Sequence, residues 1–127
     1  AEILPFAQQH GIGVIVYSPM ASGLLSGKMT AERAAALPEN DWRREHPNFQ
    51  EPRLSAVLRL VEVLREVGTP YGASPGEVAI AWTLHHPAVT GAIVGVRSPE
   101  QVDGVLGAAT LRLTAGDLAA IEAAIPA

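Results

Sequence analysis

Two short runs, Val14-Ile15-Val16-Tyr17 and Gly91-Ala92-Ile93-Val94-Gly95, limit what this chain can fold into more than any other feature. Neither alternates apolar with polar residues, and both are followed by turn-forming sequence. That is the pattern of strands buried on both faces of a parallel sheet. The surrounding spacing is helical. Ile3, Leu4, Phe6 and Ala7 predict an opening helix stopped by Gly11. Thr30, with Glu32 and Arg33, opens a short helix through Ala36, and residues 37–52 form an irregular excursion carrying Pro38, Pro47 and Pro52. Leu54, Val57, Leu58, Val61, Leu64 and Val67 mark one face of a helix ending at Gly68. Ser74-Pro75-Gly76-Glu77 reads as a capping box with proline at the first helical position, opening a helix that carries Val78, Ile80, Ala81, Trp82 and Leu84, with Pro87 beyond its end. Ser98-Pro99-Glu100-Gln101 reads as a second capping box for a helix through about Leu106. Thr114 caps the last helix, with Leu118, Ile121 and Ile125 inward. The alternation gives an α/β class. Two such strands leave edges and faces uncovered, so they need neighbours, either from residues outside this sequence or from a second copy of the chain.

Composition narrows the class. The 127 residues suffice for one hydrophobic core and so one folding unit. With 48% hydrophobic and 17% charged residues the chain is globular and expected to be soluble, and no window approaches the apolar length of a membrane span. A formal charge of −4 without a lysine or arginine tract argues against nucleic acid as a partner. The absence of cysteine rules out disulfides and thiolate metal sites and suits a reducing cytoplasm. The first ten residues lack the pattern of a signal peptide, so a cytoplasmic location is expected.

In parallel α/β folds the site is built from loops at the carboxyl ends of strands, which places Ser18 to Lys28 and Val96 to Gln101 on one rim. Both suit anions. The first offers Gly23 and Gly27 for close backbone approach, hydroxyls at Ser18, Ser22 and Ser26, and the Lys28 charge. In the second, Gly95 admits a ligand, and Ser98 begins a helix whose free N–H groups and dipole attract phosphate beside Arg97. One group on each loop would hold a bisphosphate between them. Equally, serine and glycine fill ordinary turns, and a cap motif opens helices in proteins that bind nothing.

The blocks GVIVYSPMASGLLSGK and EVAIAWTLHHPAVTGAIVGVRSPEQV, about fifty residues apart, resemble the carboxyl-terminal part of the aldo-keto reductases, in the branch that includes the potassium-channel β subunits. The resemblance runs in order from Gly11 to the final helix. It implies that residues 1–127 are the carboxyl-terminal portion of an NADP-dependent oxidoreductase domain. The implied fold is a partial (β/α)8 TIM barrel, about the last two to three β/α units, with Val14 to Tyr17 as its seventh strand and Ala92 to Val94 as its eighth. It further implies NADPH as cofactor. Ser18, Pro19, Met20, Ala21, Ser22 and Lys28 match the loop over the pyrophosphate, and Tyr17 the aromatic that stacks on nicotinamide. Gly95, Arg97 and Gln101 match the segment at the adenosine end, where Arg97 would favour the 2′-phosphate of NADPH. Gly104-Val105 replaces the Glu-Asn pair that commonly contacts adenine in this branch. The family's catalytic Asp, Tyr, Lys and His lie on earlier strands, so no residue here is assigned as catalytic.

Other chemistry is thin. His10, His46, His85 and His86 lack ligand spacing and are read as caps and surface positions. Arg43 and Arg44 sit in the excursion, either folding over a bound phosphate or simply solvated. Trp42 and Phe49 are expected to anchor that loop and Trp82 to lie in the core. Neither Ser18 nor Ser98 has a readable histidine and acid partner, so a hydrolase is not supported. Three functions follow: a cofactor-binding fragment of a reductase, inactive alone; a non-catalytic half barrel that self-associates or swaps strands; or a subunit sensing cofactor redox state, for which the sequence offers no channel-binding feature.

Overall fold

The computed structural model describes residues 2–126; Ala1 and Ala127 lie outside the described residues. Helix α1 (Ile3–Gln9) ends where Gly11 takes φ +65°, a left-handed stop that glycine adopts without steric cost. Strand β1 (Val14–Tyr17) follows. After a loop wound as a 3₁₀ turn come α2 (Ala31–Ala35), whose Thr30 hydroxyl accepts from Arg33 N, and two 3₁₀ turns at Trp42–Glu45 and Pro47–Phe49. Helix α3 (Arg53–Gly68) and helix α4 (Pro75–Leu84) then lead to strand β2 (Val89–Ile93). Helix α5 (Pro99–Leu106) and helix α6 (Ala115–Ala124) complete the chain.

The two strands pair in parallel, with Val14 opposite Val89 and Tyr17 opposite Ile93. An irregularity between Val14 and Ile15 leaves Thr90 as the extra residue, and its hydroxyl donates to Val14 O at 3.3 Å. Gly13 makes room for it, since a Cβ there would come within 3.0 Å of the Thr90 methyl. Strand β2 therefore begins two residues before the Gly91–Gly95 run and ends at Ile93. Its register is set by its partner: Val14 N donates to Ala88 O at 2.8 Å, which starts the ladder at Val89.

Packing divides into two clusters joined along α3. In the first, Leu24, Met29, Ala34, Leu37, Phe49 and Leu54 tie the loop after β1 to α2, the excursion and the start of α3. In the second, Leu60 and Leu64 of α3, Val78 and Ala79 of α4, and Ile121 of α6 meet, with Leu25 packed against them. Each fully buried leucine contributes about 2 kcal/mol of transfer free energy. The Ser74–Glu77 capping box forms as expected, with Glu77 Oε2 accepting from Ser74 N at 2.8 Å, and Thr114 with Asp117 forms another. Both fix helices whose first turns would otherwise leave N–H groups unpaired.

Several expectations need correction. The strands are not buried on both faces: Ile15 is 65% exposed, Tyr17 81% and Ile93 62%, because the described helices cover only one side of this two-stranded sheet. Ile125 falls after α6 and is exposed, while Leu118 is half-buried. Trp42 does not anchor its loop; Phe49 is buried there, whereas Trp42 stacks edge-on against His46 at the surface. No capping box forms at Ser98, whose hydroxyl makes no bond to the helix backbone.

Candidate functional site

Because β1 and β2 run side by side in the same direction, the chain leaves both at one end of the sheet, carrying Ser18 and Val94 to a common rim. The loop after β1 bends sharply. Ser18, Ala21 and Ser22 hold φ of 53°, 47° and 58°, and Gly23 follows at 90°. Left-handed backbone costs an L-residue about 1 kcal/mol, so the bend persists only because packing over-determines it. The packing is visible: Pro19 and Leu24 are buried, Leu24 completely, and Leu25 enters the other cluster. Backbone bonds close the turn, from Ala21 N to Ser18 O at 2.9 Å and from Gly23 N and Leu25 N to Met20 O. The Ser26 hydroxyl donates inward to Gly23 O at 2.6 Å, so it faces the turn rather than a ligand. Ser18, Ser22 and Lys28 remain exposed, as does the Tyr17 ring at the end of β1.

At the far end of the loop Gly27 takes φ +79° against the first turn of α4, where a Cβ would stand 2.8 Å from the Pro75 ring. The Arg65 guanidinium donates to Gly27 O at 3.4 Å and that of Arg33 to Lys28 O at 3.2 Å. Met20 lies half-buried over Gly76 of the same helix turn.

The segment after β2 is held differently. Gly95 has open space where a Cβ would stand, and Gly95, Arg97 and Gln101 are all exposed. Gln101 Oε1 accepts from Arg97 N at 2.7 Å, closing the segment with one side chain. Val96, Arg97, Ser98, Pro99, Val102 and Asp103 line an open groove of about 570 Å³. The Ser98 hydroxyl beside Glu100 is the main cause that holds that carboxyl below its usual range, helped by the residue's own backbone N–H. Lys28 and Arg97 form no ion pair among the described residues.

Sequence reading missed Asp41. Its carboxylate caps the Trp42–Glu45 turn and grips Arg43 through two oxygens, with Nη2 at 2.5 Å from Oδ2. Hydrogen bonds from the Arg43 side chain, then from its backbone N–H, hold Asp41 down to about 2, and the Arg97 charge adds to the effect. The Arg43 guanidinium also lies over the Phe49 ring, 5.9 Å from its centre, so Arg43 is committed to structure. An aspartate two residues before an arginine, at the start of a short turn, was the available signal.

The histidines sit at caps and turns. His46 Nδ1 accepts from Asn48 N, His86 Nδ1 accepts from Ala88 N, and His85 meets Trp82 O. Among the described residues no group of acids and histidines could hold a metal ion, and no helix is long and apolar enough to cross a membrane.

A sequence model described as the Aldo/keto reductase family matches residues 1–126. The chain belongs to the aldo/keto reductase family. It is 30% identical over 120 residues to aldo-keto reductase str7 of Strobilurus tenacellus, covering 94% of this chain and 35% of that protein. With aldo-keto reductase YhdN of Bacillus subtilis it shares 35% identity over 104 residues, 81% of this chain and 31% of the relative. Among solved structures, the glycerol dehydrogenase AKR11B4 from Gluconobacter oxydans superposes with a TM-score of 0.86 at 32% identity, over 97% of this chain and 37% of that one. The chain thus spans roughly a third of the length of these reductases. Its α/β fold is similar to that TIM-barrel enzyme's and consistent with part of such a barrel.

Proposed function

We propose that residues 1–127 are the carboxyl-terminal portion of an NADPH-dependent aldo-keto reductase domain, in the branch resembling the potassium-channel β subunits, and that their share of the work is to hold the cofactor. The observation that carries this reading is the parallel pairing of β1 and β2, which brings the Ser18–Lys28 loop and the Gly95–Gln101 segment to one rim. The donor set fits a phosphorylated dinucleotide. Exposed hydroxyls at Ser18 and Ser22, with the Lys28 ammonium, suit a pyrophosphate lying over the bend of Pro19, Met20 and Ala21. Arg97, which forms no ion pair among the described residues and lies beside the open space at Gly95, suits the 2′-phosphate, with Gln101 next to it. Tyr17 presents its ring at the end of β1, where a nicotinamide would stack.

The bound cofactor would carry the hydride exchanged with a carbonyl or the corresponding alcohol. None of these residues supplies a proton to a developing alkoxide, since the family's catalytic Asp, Tyr, Lys and His have no counterparts here. The isolated chain is therefore expected to bind without turning over; oxidation of NADPH with an aldehyde by the pure 127 residues would overturn this. Calorimetric titration with NADPH and NADH tests the binding itself. NADPH-selective binding that Arg97→Ala lowers about tenfold or more supports the reading, and no binding of either dinucleotide refutes it.

A second reading rests on a separate observation: Ile15, Tyr17 and Ile93 project from a sheet with both edges open among the described residues. Such a surface favours pairing with another chain, so the isolated polypeptide is proposed to self-associate. A monodisperse particle of 13.3 kDa in light scattering would exclude it.

A further inference from the structure

Gln101 was expected to face the adenosine end of the cofactor, yet its side-chain oxygen is already engaged by Arg97 N at 2.7 Å. In an ordinary capping box the residue at the third helical position accepts from the cap residue itself, here Ser98. Gln101 reaches one residue further back. Two further observations accompany that displacement. The Ser98 hydroxyl makes no bond to the backbone of α5. The Arg97 backbone, on the exposed segment that precedes α5, a helix that buries none of its residues, is fixed by this side-chain contact rather than by packing.

We propose that Gln101 is a positioning residue: it sets the Arg97 backbone so that the guanidinium stands over the groove lined by Val96, Ser98 and Val102, and thereby sets selectivity for a 2′-phosphorylated nucleotide. This rests on the cofactor-rim reading above. It differs from a direct contact with adenine, because a positioning role acts only through the charge that Arg97 presents. Removing the Gln101 acceptor frees Arg97 N–H and lets the segment move, while the adenine and pyrophosphate contacts are untouched. The loss then falls on ligands carrying the 2′-phosphate alone.

The test uses the full chain and two variants. Gln101→Met keeps side-chain length and helix propensity without the acceptor; Gln101→Glu keeps the acceptor. Amide hydrogen exchange on the ligand-free protein is expected to show Arg97 N–H exchanging about fivefold faster in the Met variant, with protection retained in the Glu variant. Titration of the Met variant is expected to show affinity for 2′,5′-ADP falling about fivefold and affinity for 5′-ADP falling less than twofold. Equal losses for the two nucleotides would make Gln101 an adenine contact and overturn the proposal, as would an Arg97 amide indifferent to Gln101→Met. If the wild-type chain binds neither nucleotide while the amide effect is present, the cofactor-rim reading falls and takes the selectivity role with it, leaving Gln101 as a cap of α5.

Discussion

The two halves of the rim are built by opposite means. The loop after β1 is fastened from below: Leu24 and Leu25 enter different hydrophobic clusters, and their burial holds Ser18, Ala21 and Ser22 in backbone conformations they would not adopt alone. The segment after β2 lies on the surface, tied by Gln101 to its own helix and lined by a groove open to water. Packing fixes shape against large energies; a single polar contact fixes it against about 1 kcal/mol. A ligand bridging both would meet one preformed wall and one that it helps to order. The contrast predicts a graded series of responses.

Leu24→Ala should be the most damaging change, lowering stability by about 3 kcal/mol in urea unfolding, because it empties a completely buried site that holds the strained bend. If it costs less than about 1 kcal/mol, the bend is not maintained by packing and the contrast fails. Gly27→Ala should cost about 2 kcal/mol, combining left-handed backbone with a collision against Pro75. The matching change on the other side, Gly95→Ala, should leave stability within about 0.5 kcal/mol and weaken only dinucleotide binding, since its Cβ would occupy space open to ligand.

Acid gives the smallest effect. Asp41 titrates at about 2 against an ordinary 3.8, so its pairing with Arg43 stabilises the excursion fully above the unfolded value and is lost as pH falls through the folded one. Between pH 4 and 2 the wild type should therefore lose slightly more stability than Asp41→Asn, a difference readable in parallel acid titrations. The Tyr71 hydroxyl donates to Asp117 Oδ2, and this pair behaves alike at the acid end, where that bond is the first cause lowering Asp117. At the alkaline end Tyr71 is raised by that same bond, and its contribution disappears as pH climbs through the raised value.

How much of this was legible follows from how local each feature is. The Ser74–Glu77 box, the Gly11 stop and the span of β1 depend on neighbours a few residues away, and all three stood in the sequence. The start of β2 did not, because Val14 determines it from seventy-five residues away in the chain. Ser98 misled for a related reason: the residue types of a capping box were present, but Gln101 found a better-placed donor in Arg97. The apolar character of β1 and β2 correctly announced a parallel pair, but not the exposure of Ile15, Tyr17 and Ile93 on its uncovered face. The rim residues themselves were nameable; the leucines that hold one half in place, hidden among small residues, were not.

The exposed ring of Trp42 has a practical use. The chain has only two tryptophans, and they stand in contrasting surroundings: Trp42 in water beside the Asp41–Arg43 pair, Trp82 half-buried against the second cluster with its indole N–H enclosed. Their emission should differ in wavelength and in access to a soluble quencher. Replacing either with phenylalanine would leave a one-colour chain, reporting rearrangement of the excursion through Trp42 or melting of the helical layer through Trp82. The molecule thus carries its own pair of optical gauges, one for the excursion and one for the helical layer, without any attached dye.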